Sequence, residues 1–472
     1  MKTTQSSGTR PDHQAVAGTF EFKSHGKAIA IGFTDQQLSP HAGSALFWGW
    51  LRPLDWCKGL AAALPHPLPL SNNKLLPVEK ALAFMHGLLC DARKLTHVAY
   101  LRRDPLAPEL LGITRIASQS VLTRFFRGFT SAGDNLRCFR PLWHWCLDRL
   151  PSQKAGYTLD LDSTRLLHKD GQQEGVAGGY TKQGIKPCLH PLLAVLAEAR
   201  VVAQLWLRPG NATCGNNVTA FFLDLWAHLP RHIRLGGVRA DAGFCLPELL
   251  ALWEQLHLPY VVVAPRSQPL QKLLKGDMSW TATEVPGTEV AALEYQAMSW
   301  PQPRRLVLIR HQVSEDESRG GKRLLDVPGY RFQALVTSRP RATHPPLAVW
   351  RYYNGRADCE NVIKELHAGF ALPTLCLEQF WASEAALSLA TLTYNLTVLF
   401  ERHLGWQHKV TLRNLRFWLF VTAGVLSHPA GKTTIKLGVP EREPDWWRRL
   451  WEKILSPIPN CNAVENRPAF SG

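Results

Sequence analysis

The stretch "YTLDLDST", residues 157–164, decides how this chain folds. In an extended strand, Tyr157, Leu159 and Leu161 fall on one face, and Thr158, Asp160 and Asp162 on the other. Downstream, "LHPLLAVLAEA" (189–199) and "RVVAQLWLR" (200–208) read as two strands close enough to form a hairpin. "NNVTAFFLDLWAHL" (216–229) is an amphipathic helix, "RLGGVRAD" (234–241) a strand, and "LPELLALWEQLHL" (246–258) a helix. "PYVVVAP" (259–265) is a wholly apolar strand, which requires a central place in a sheet. The order is three antiparallel strands, then helix, strand, helix, strand. That predicts an α/β fold: a mixed sheet with helices on both faces.

The flanks give the rest of the organisation. Residues 1–150 read as mostly helical, with 1–20 disordered. Within them, "PELLGITRIASQSVLTRFFRGF" (108–129) resembles a helix-turn-helix: Gly112 makes the turn, Ser118 caps, and Val121, Leu122, Phe125 and Phe126 pack. Arg124 and Arg127 then point outward, toward DNA phosphates or toward water on an ordinary helical hairpin. The α/β region runs over 151–266 and 346–402, with the Gly-rich 171–184 as a long turn. Between its halves, 267–345 reads as an inserted β-rich domain, with strands at 293–300, 304–313 and 330–338 and a polar loop "SEDESRGGK" at 314–322. A C-terminal helical and hairpin region takes 403–472.

Composition narrows the partners. The chain has 54 basic and 38 acidic residues, a net charge of +16 and a pI near 9.5, which favours a polyanion, with nucleic acid ahead of an anionic membrane surface. The cysteines are scattered singly with no CxxC pair, arguing against a zinc ribbon or disulfide framework and for a reducing cytoplasm. No apolar signal segment opens the chain. The run "AALSLATLTYNLTVLF" (385–400) is short and rich in Thr and Ser, so it reads as a buried helix rather than a membrane span.

"RYYNGRADCENVIKELHAGF" (351–370) carries an unusual density of charge. On a continuous helix advancing about 100° per residue, Tyr353, Arg356, Glu360, Lys364 and His367 share one face. A solvated ion-pair face is one reading; a face turned to phosphate and metal is the other. Asp162 at the end of the first strand and Asp241 at the end of the fourth lie where open α/β sheets gather ligands. Asp160, two residues before Asp162 on the same face, is the alternative strand-end ligand. Three converging carboxylates repel one another unless cations neutralise them, and Mg²⁺ is the natural choice. Two such ions about 4 Å apart suit in-line phosphoryl displacement.

Taken together, these residues resemble a bacterial insertion-sequence DDE transposase. Tyr353, Arg356 and Glu360 match the Y-R-E-K-type signature of the cut-and-paste group, which carries a β insertion before its last acidic residue. The resemblance covers roughly 150–402. It implies an RNase H-like catalytic domain, with Asp162, Asp241 and Glu360 as catalytic ligands of two Mg²⁺ or Mn²⁺ ions. It also implies Tyr353 and Arg356 on DNA phosphates. The signature's terminal basic residue falls on His367, with Lys364 one turn earlier as the competing contact. Relatives of this kind hold a flipped base on a tryptophan of the inserted domain, for which Trp300 and Trp280 are the candidates. Cleavage and strand transfer at terminal inverted repeats, double-stranded DNA as partner and a homodimer at synapsis follow as expectations. The rivals are a nuclease that cuts without joining and a non-catalytic DNA-binding relative.

Overall fold

The structure, a computed structural model, describes residues 16–456 apart from 69, 72–73, 169–171, 182–183, 314–323, 407 and 409. The loop read at 314–322 and most of the N-terminal stretch read as disordered lie outside the described residues.

A nine-stranded mixed sheet forms the centre. Its strands are β1 (Tyr157–Ser163), β2 (Leu192–Leu196), β3 (Val201–Trp206), β4 (Leu235–Ala240), β5 (Tyr260–Val263), β6 (Thr281–Ala282), β7 (Thr288–Tyr295), β8 (Arg304–Gln312) and β9 (Tyr330–Thr337). Their spatial order is β6-β7-β8-β9-β5-β4-β1-β2-β3. β1, β2 and β3 pair antiparallel, whereas β4 runs parallel to both β1 and β5. The β-rich segment expected as a separate inserted domain instead continues this sheet. β9 pairs antiparallel with β5, and β8, β7 and β6 follow outward. The physical reason is that β5, alternating buried residues on both faces, cannot be left as an open edge.

The alternation along β5 separates two cores. Tyr260 and Val262 pack into the main core with Phe222 and Trp253, while Val261 packs on the other face with Val307, Leu335 and Val349. Each fully buried side chain of this size contributes roughly 1.5–3 kcal/mol over its exposed state. The helices between strands are α1 (Val218–Ala227) and α2 (Pro247–Gln255); α3 (Pro346–Asn354) brings Val349 to the second face. At the far edge, α5 (Phe380–His403) closes β3: Asn395 Oδ1 accepts from the Val202 amide at 2.9 Å and its Nδ2 donates to the Val202 carbonyl at 2.7 Å. One side chain thereby satisfies an edge-strand residue that would otherwise recruit another strand. α5 is buried along nearly its whole length, and among the described residues no helix is long and apolar enough to cross a membrane.

Three further differences from the sequence reading bear on local structure. Val16–Ser24 and Lys27–Phe33 form an antiparallel hairpin, whose first residues, 16–20, fall in the stretch read as disordered. The Gly-rich turn contains a second hairpin, Ala177–Thr181 with Gly184–Leu189. Most consequential, the charged helix is two helices. α3 ends at Asn354, and α4 (Ala357–Ala368) begins after Arg356. In a continuous helix the Arg356 amide would donate to the Tyr352 carbonyl. Here it donates to Tyr353 O at 2.9 Å, and the Tyr352 carbonyl accepts from Arg239 Nη1 at 2.7 Å. The guanidinium of a residue on β4 has replaced the helix's own bond, so the single face drawn from Tyr353 to His367 is broken at its second member.

Between Ala42 and Asp148 the N-terminal region is mainly helical. Pro77–Leu89, Gln119–Arg127 and Ala132–Asp148 all pack against α5. The helix-turn-helix reading meets Leu106–Leu111 ending at Gly112, whose φ of +65° a side chain would resist. Ser118 Oγ then accepts the Val121 amide at 3.4 Å, and Leu122, Phe125 and Phe126 are buried.

Candidate active site

Asp162 and Asp241 meet because β1 and β4 are neighbours in parallel. Ala240 stands beside Leu161, so the next residue of each strand, at its carboxyl end, is the aspartate. Asp162 is buried, and its Oδ1 accepts from its neighbour Ser163's amide at 2.8 Å. Its Oδ2 lies 2.8 Å from Arg356 Nη2. Burial pushes its pKa up to about 6; Arg356 opposes the rise and the charge of Asp241 adds to it. Asp241 Oδ1 caps the turn Ala242–Phe244 by accepting from Gly243 N at 2.9 Å. A Cβ at Gly243 would stand 2.7 Å from Cys214 Cβ, so only glycine lets that turn close.

A small network fixes Ser163. His190 Nδ1 lies 2.7 Å from the Ala212 carbonyl and must donate to it, leaving Nε2 to accept from Ser163 Oγ at 2.9 Å. Burial lowers the His190 pKa to about 4, keeping that tautomer neutral. Ser163 Oγ also lies 3.4 Å from Cys214 Sγ. The serine whose amide holds Asp162 is thus itself held.

Glu360 lies in the first turn of α4, exposed. Tyr353, near the end of α3, is half-buried. Burial pushes this phenol up to about 12, and the charges of Asp241, Asp162 and Glu360 all add to the rise while Arg356 opposes it. Arg356 is buried, turned inward on Asp162 and, at 3.4 Å, on the Leu161 carbonyl. Lys364 is exposed. His367 Nε2 shares a hydrogen bond with Thr164 Oγ1 at 3.0 Å, and burial lowers its pKa, so it is neutral at pH 7.

The remaining expected contacts lie elsewhere. Arg124 and Arg127 are exposed, and Arg127 pairs with Glu378. Trp300 is buried, edge-on to Tyr295 with ring centroids 5.8 Å apart, and Arg304 lies 5.2 Å from its ring. Trp280 packs against Phe332 and faces Arg310 at 4.6 Å.

Asp160, the alternative to Asp162, is fully buried and taken up by Arg239, whose Nε and Nη2 donate to its two oxygens at 2.6 and 2.8 Å. Arg239 was missed in the sequence. The available signal was a lone Arg in an apolar central strand, "GGVRA", matched by a lone Asp in "TLDL" on another. Charges at such places are paired or not tolerated.

Carboxylate oxygens in excess of one guanidinium are donors of the right chemistry for Mg²⁺. Their assembly is open, however: among the described residues no three His, Cys, Asp or Glu side chains group closely enough to hold a metal ion.

Comparison with known proteins adds the family. Residues 22–456 match the family model described as transposase DDE domain group 1. Among solved structures, a chain of the piggyBac transposase synaptic complex with hairpin DNA aligns over 80% of this chain and 79% of its own, at 12% identity and a TM-score of 0.40. No curated protein matches. On the match that spans nearly its whole length, the chain belongs to the transposase DDE domain group 1 family.

Proposed function

We propose that this protein is the transposase of a bacterial insertion sequence. It cleaves DNA strands at the element's terminal inverted repeats and joins them to target DNA by a cut-and-paste route. Asp162, Asp241 and Glu360 are its catalytic carboxylates. The observation that carries this reading is the meeting of two aspartates at the carboxyl ends of adjacent parallel strands. The order β3-β2-β1-β4-β5 of the central strands, antiparallel then parallel, supports an RNase H-like core.

The three carboxylates would hold two Mg²⁺ or Mn²⁺ ions. Bound there, the ions supply a water acidified for attack and stabilisation of the leaving 3′-oxygen. The chain's own residues orient the parts. Ser163 and His190 fix the Asp162 carboxylate, and the turn at Gly243 fixes that of Asp241. Tyr353, un-ionised at neutral pH, can donate its proton in a hydrogen bond to a phosphate oxygen. Lys364, exposed one turn beyond Glu360, offers a charge to the DNA backbone. Because Glu360 does not group closely with the two aspartates in the DNA-free chain, this reading requires α4 to approach the strand ends when DNA binds. Arg124 and Arg127 contribute backbone contacts outside the site, and two copies act at synapsis in the bacterial cytoplasm.

The experiment is incubation of the purified chain and Mg²⁺ with DNA carrying the repeats that flank its coding region. Nicking at the repeat boundary followed by joining to a second DNA is expected. Cutting without joining would make it a nuclease; binding without cutting would make it a regulator.

A further inference from the structure

Arg239 belongs to no part of the reaction described above, yet it sits on β4, binds β1 and bonds the end of α3, the helix that leads into α4. Its Nε and Nη2 hold Asp160 on β1, two residues before Asp162. It sits on β4, two residues before Asp241. Its remaining nitrogen, Nη1, donates to the Tyr352 carbonyl where α3 ends, just before α4 with Glu360 begins. A cation at a helix C-terminus also complements the exposed carbonyl dipoles there.

The sequence clears space for this contact. Gly355 has an ordinary right-handed backbone, so nothing in its φ calls for glycine. A Cβ there would, however, stand 2.4 Å from Arg239 Nη1. Gly237, two residues before Arg239, likewise admits the hydroxyl of Tyr352, which a Cβ would meet at 2.6 Å. Tyr352 is held between two guanidinium groups, Arg339 at 3.9 Å and Arg239 at 5.2 Å from its ring. Its hydroxyl donates to Thr158 on β1 at 3.3 Å. Two glycines, two arginines and a tyrosine thus dock the end of α3 onto β1 and β4 beneath the aspartates.

We infer that Arg239 is a positioning residue for the carboxylate set, a single buried guanidinium that holds β1, β4 and the α3–α4 junction in the register that lets Asp162, Asp241 and Glu360 act together. This rests on the reading of those three as the catalytic carboxylates. An apolar pair of similar volume keeps such a fold, because a buried ion pair is replaceable by packing. It cannot donate to the Tyr352 carbonyl. Stability and positioning can therefore be separated.

The test compares wild type, the double variant Asp160→Leu/Arg239→Met, Gly355→Ala and Glu360→Gln. Three quantities are read: melting temperature, Mn²⁺ affinity of the complex with uncleavable repeat-end DNA by electron paramagnetic resonance, and cleavage kcat and KM on repeat-end DNA. The double variant should melt near wild type, yet bind Mn²⁺ more weakly by about 10–100-fold, the range lost when groups that orient metal ligands are removed. Its cleavage kcat should fall with KM unchanged. Gly355→Ala, which removes no charge, should lose in the same direction. If the double variant regains stability, Mn²⁺ affinity and kcat together, Arg239 is only a packing residue and the inference fails. Should the double variant not fold, wild-type Mn²⁺ affinity and kcat in Gly355→Ala would overturn it equally. Full cleavage by Glu360→Gln would instead remove the site reading itself.

Discussion

Arg356 Nη2 lies 2.8 Å from Asp162 Oδ2, with 9% and 12% of the two side chains exposed. The arginine expected on a DNA phosphate is, in the DNA-free chain, the counter-ion of a strand-end aspartate. Removing one member of a buried pair leaves the other uncompensated and costs about 3–5 kcal/mol. Arg356→Ala should therefore destabilise the metal-free chain by about that amount in urea titration. Adding Asp162→Asn should recover much of the loss. Independent, additive effects in the double-mutant cycle would show that the two side chains are not coupled.

Glu384, buried on α5, gives the fold a pH dependence. Its Oε2 accepts from the Leu207 amide at 2.8 Å, and burial lifts its pKa from 4.5 to about 7. Between those values the folded chain keeps a proton that the unfolded chain releases. The stabilisation is therefore complete below the unfolded pKa and lost as pH rises through the folded one. At 1.36 kcal/mol per pH unit, the loss approaches about 3 kcal/mol by pH 8. Glu384→Gln keeps the acceptor for Leu207 and removes the titration. Thermal midpoints should show the variant gaining on wild type from pH 5 to pH 8; parallel curves would contradict this.

Lys364 and His367 divide the remaining basic position of the signature. His367 is half-buried, hydrogen-bonded to Thr164 and neutral, whereas Lys364 is exposed. Lys364→Ala should weaken binding to repeat-end DNA and reduce the slope of log K against log salt by about 1, the signature of one lost phosphate contact. His367→Ala should leave that slope unchanged, because no charge is removed. The reverse pattern would return the phosphate contact to His367.

The sheet around the site was legible because its strands announce themselves locally. "YTLDLDST", "GGVRAD" and "YVVV" each show their burial in their own alternation or apolar run, and the helices between them impose parallel pairing. Asp162 and Asp241 followed from that order. The break in the charged helix did not, since its cause is Arg239, more than a hundred residues earlier in the chain. Helical periodicity has no access to a bond that a distant strand makes to Tyr352. For the same reason the inward turn of Arg356 was hidden: a charged residue on a helix face gives no sign of which way it faces until the neighbouring carboxylate is located. The strands at 304–312 and 330–337 were legible, the one at 288–295 was read five residues late, and their continuity with β5 was not legible, because register across a sheet is a long-range property.

The central claim is that Asp162, Asp241 and Glu360 act as one set in DNA strand cleavage, and Glu360 gives the cleanest access to it. It is exposed on α4, so Glu360→Gln removes a charge without disturbing a core. The measurement is the rate of strand nicking at a labelled repeat end in Mg²⁺, made beside binding of the same DNA and the melting temperature. The account predicts wild-type folding, end binding retained, and no nicking above background. Nicking by Glu360→Gln at the wild-type rate would contradict it.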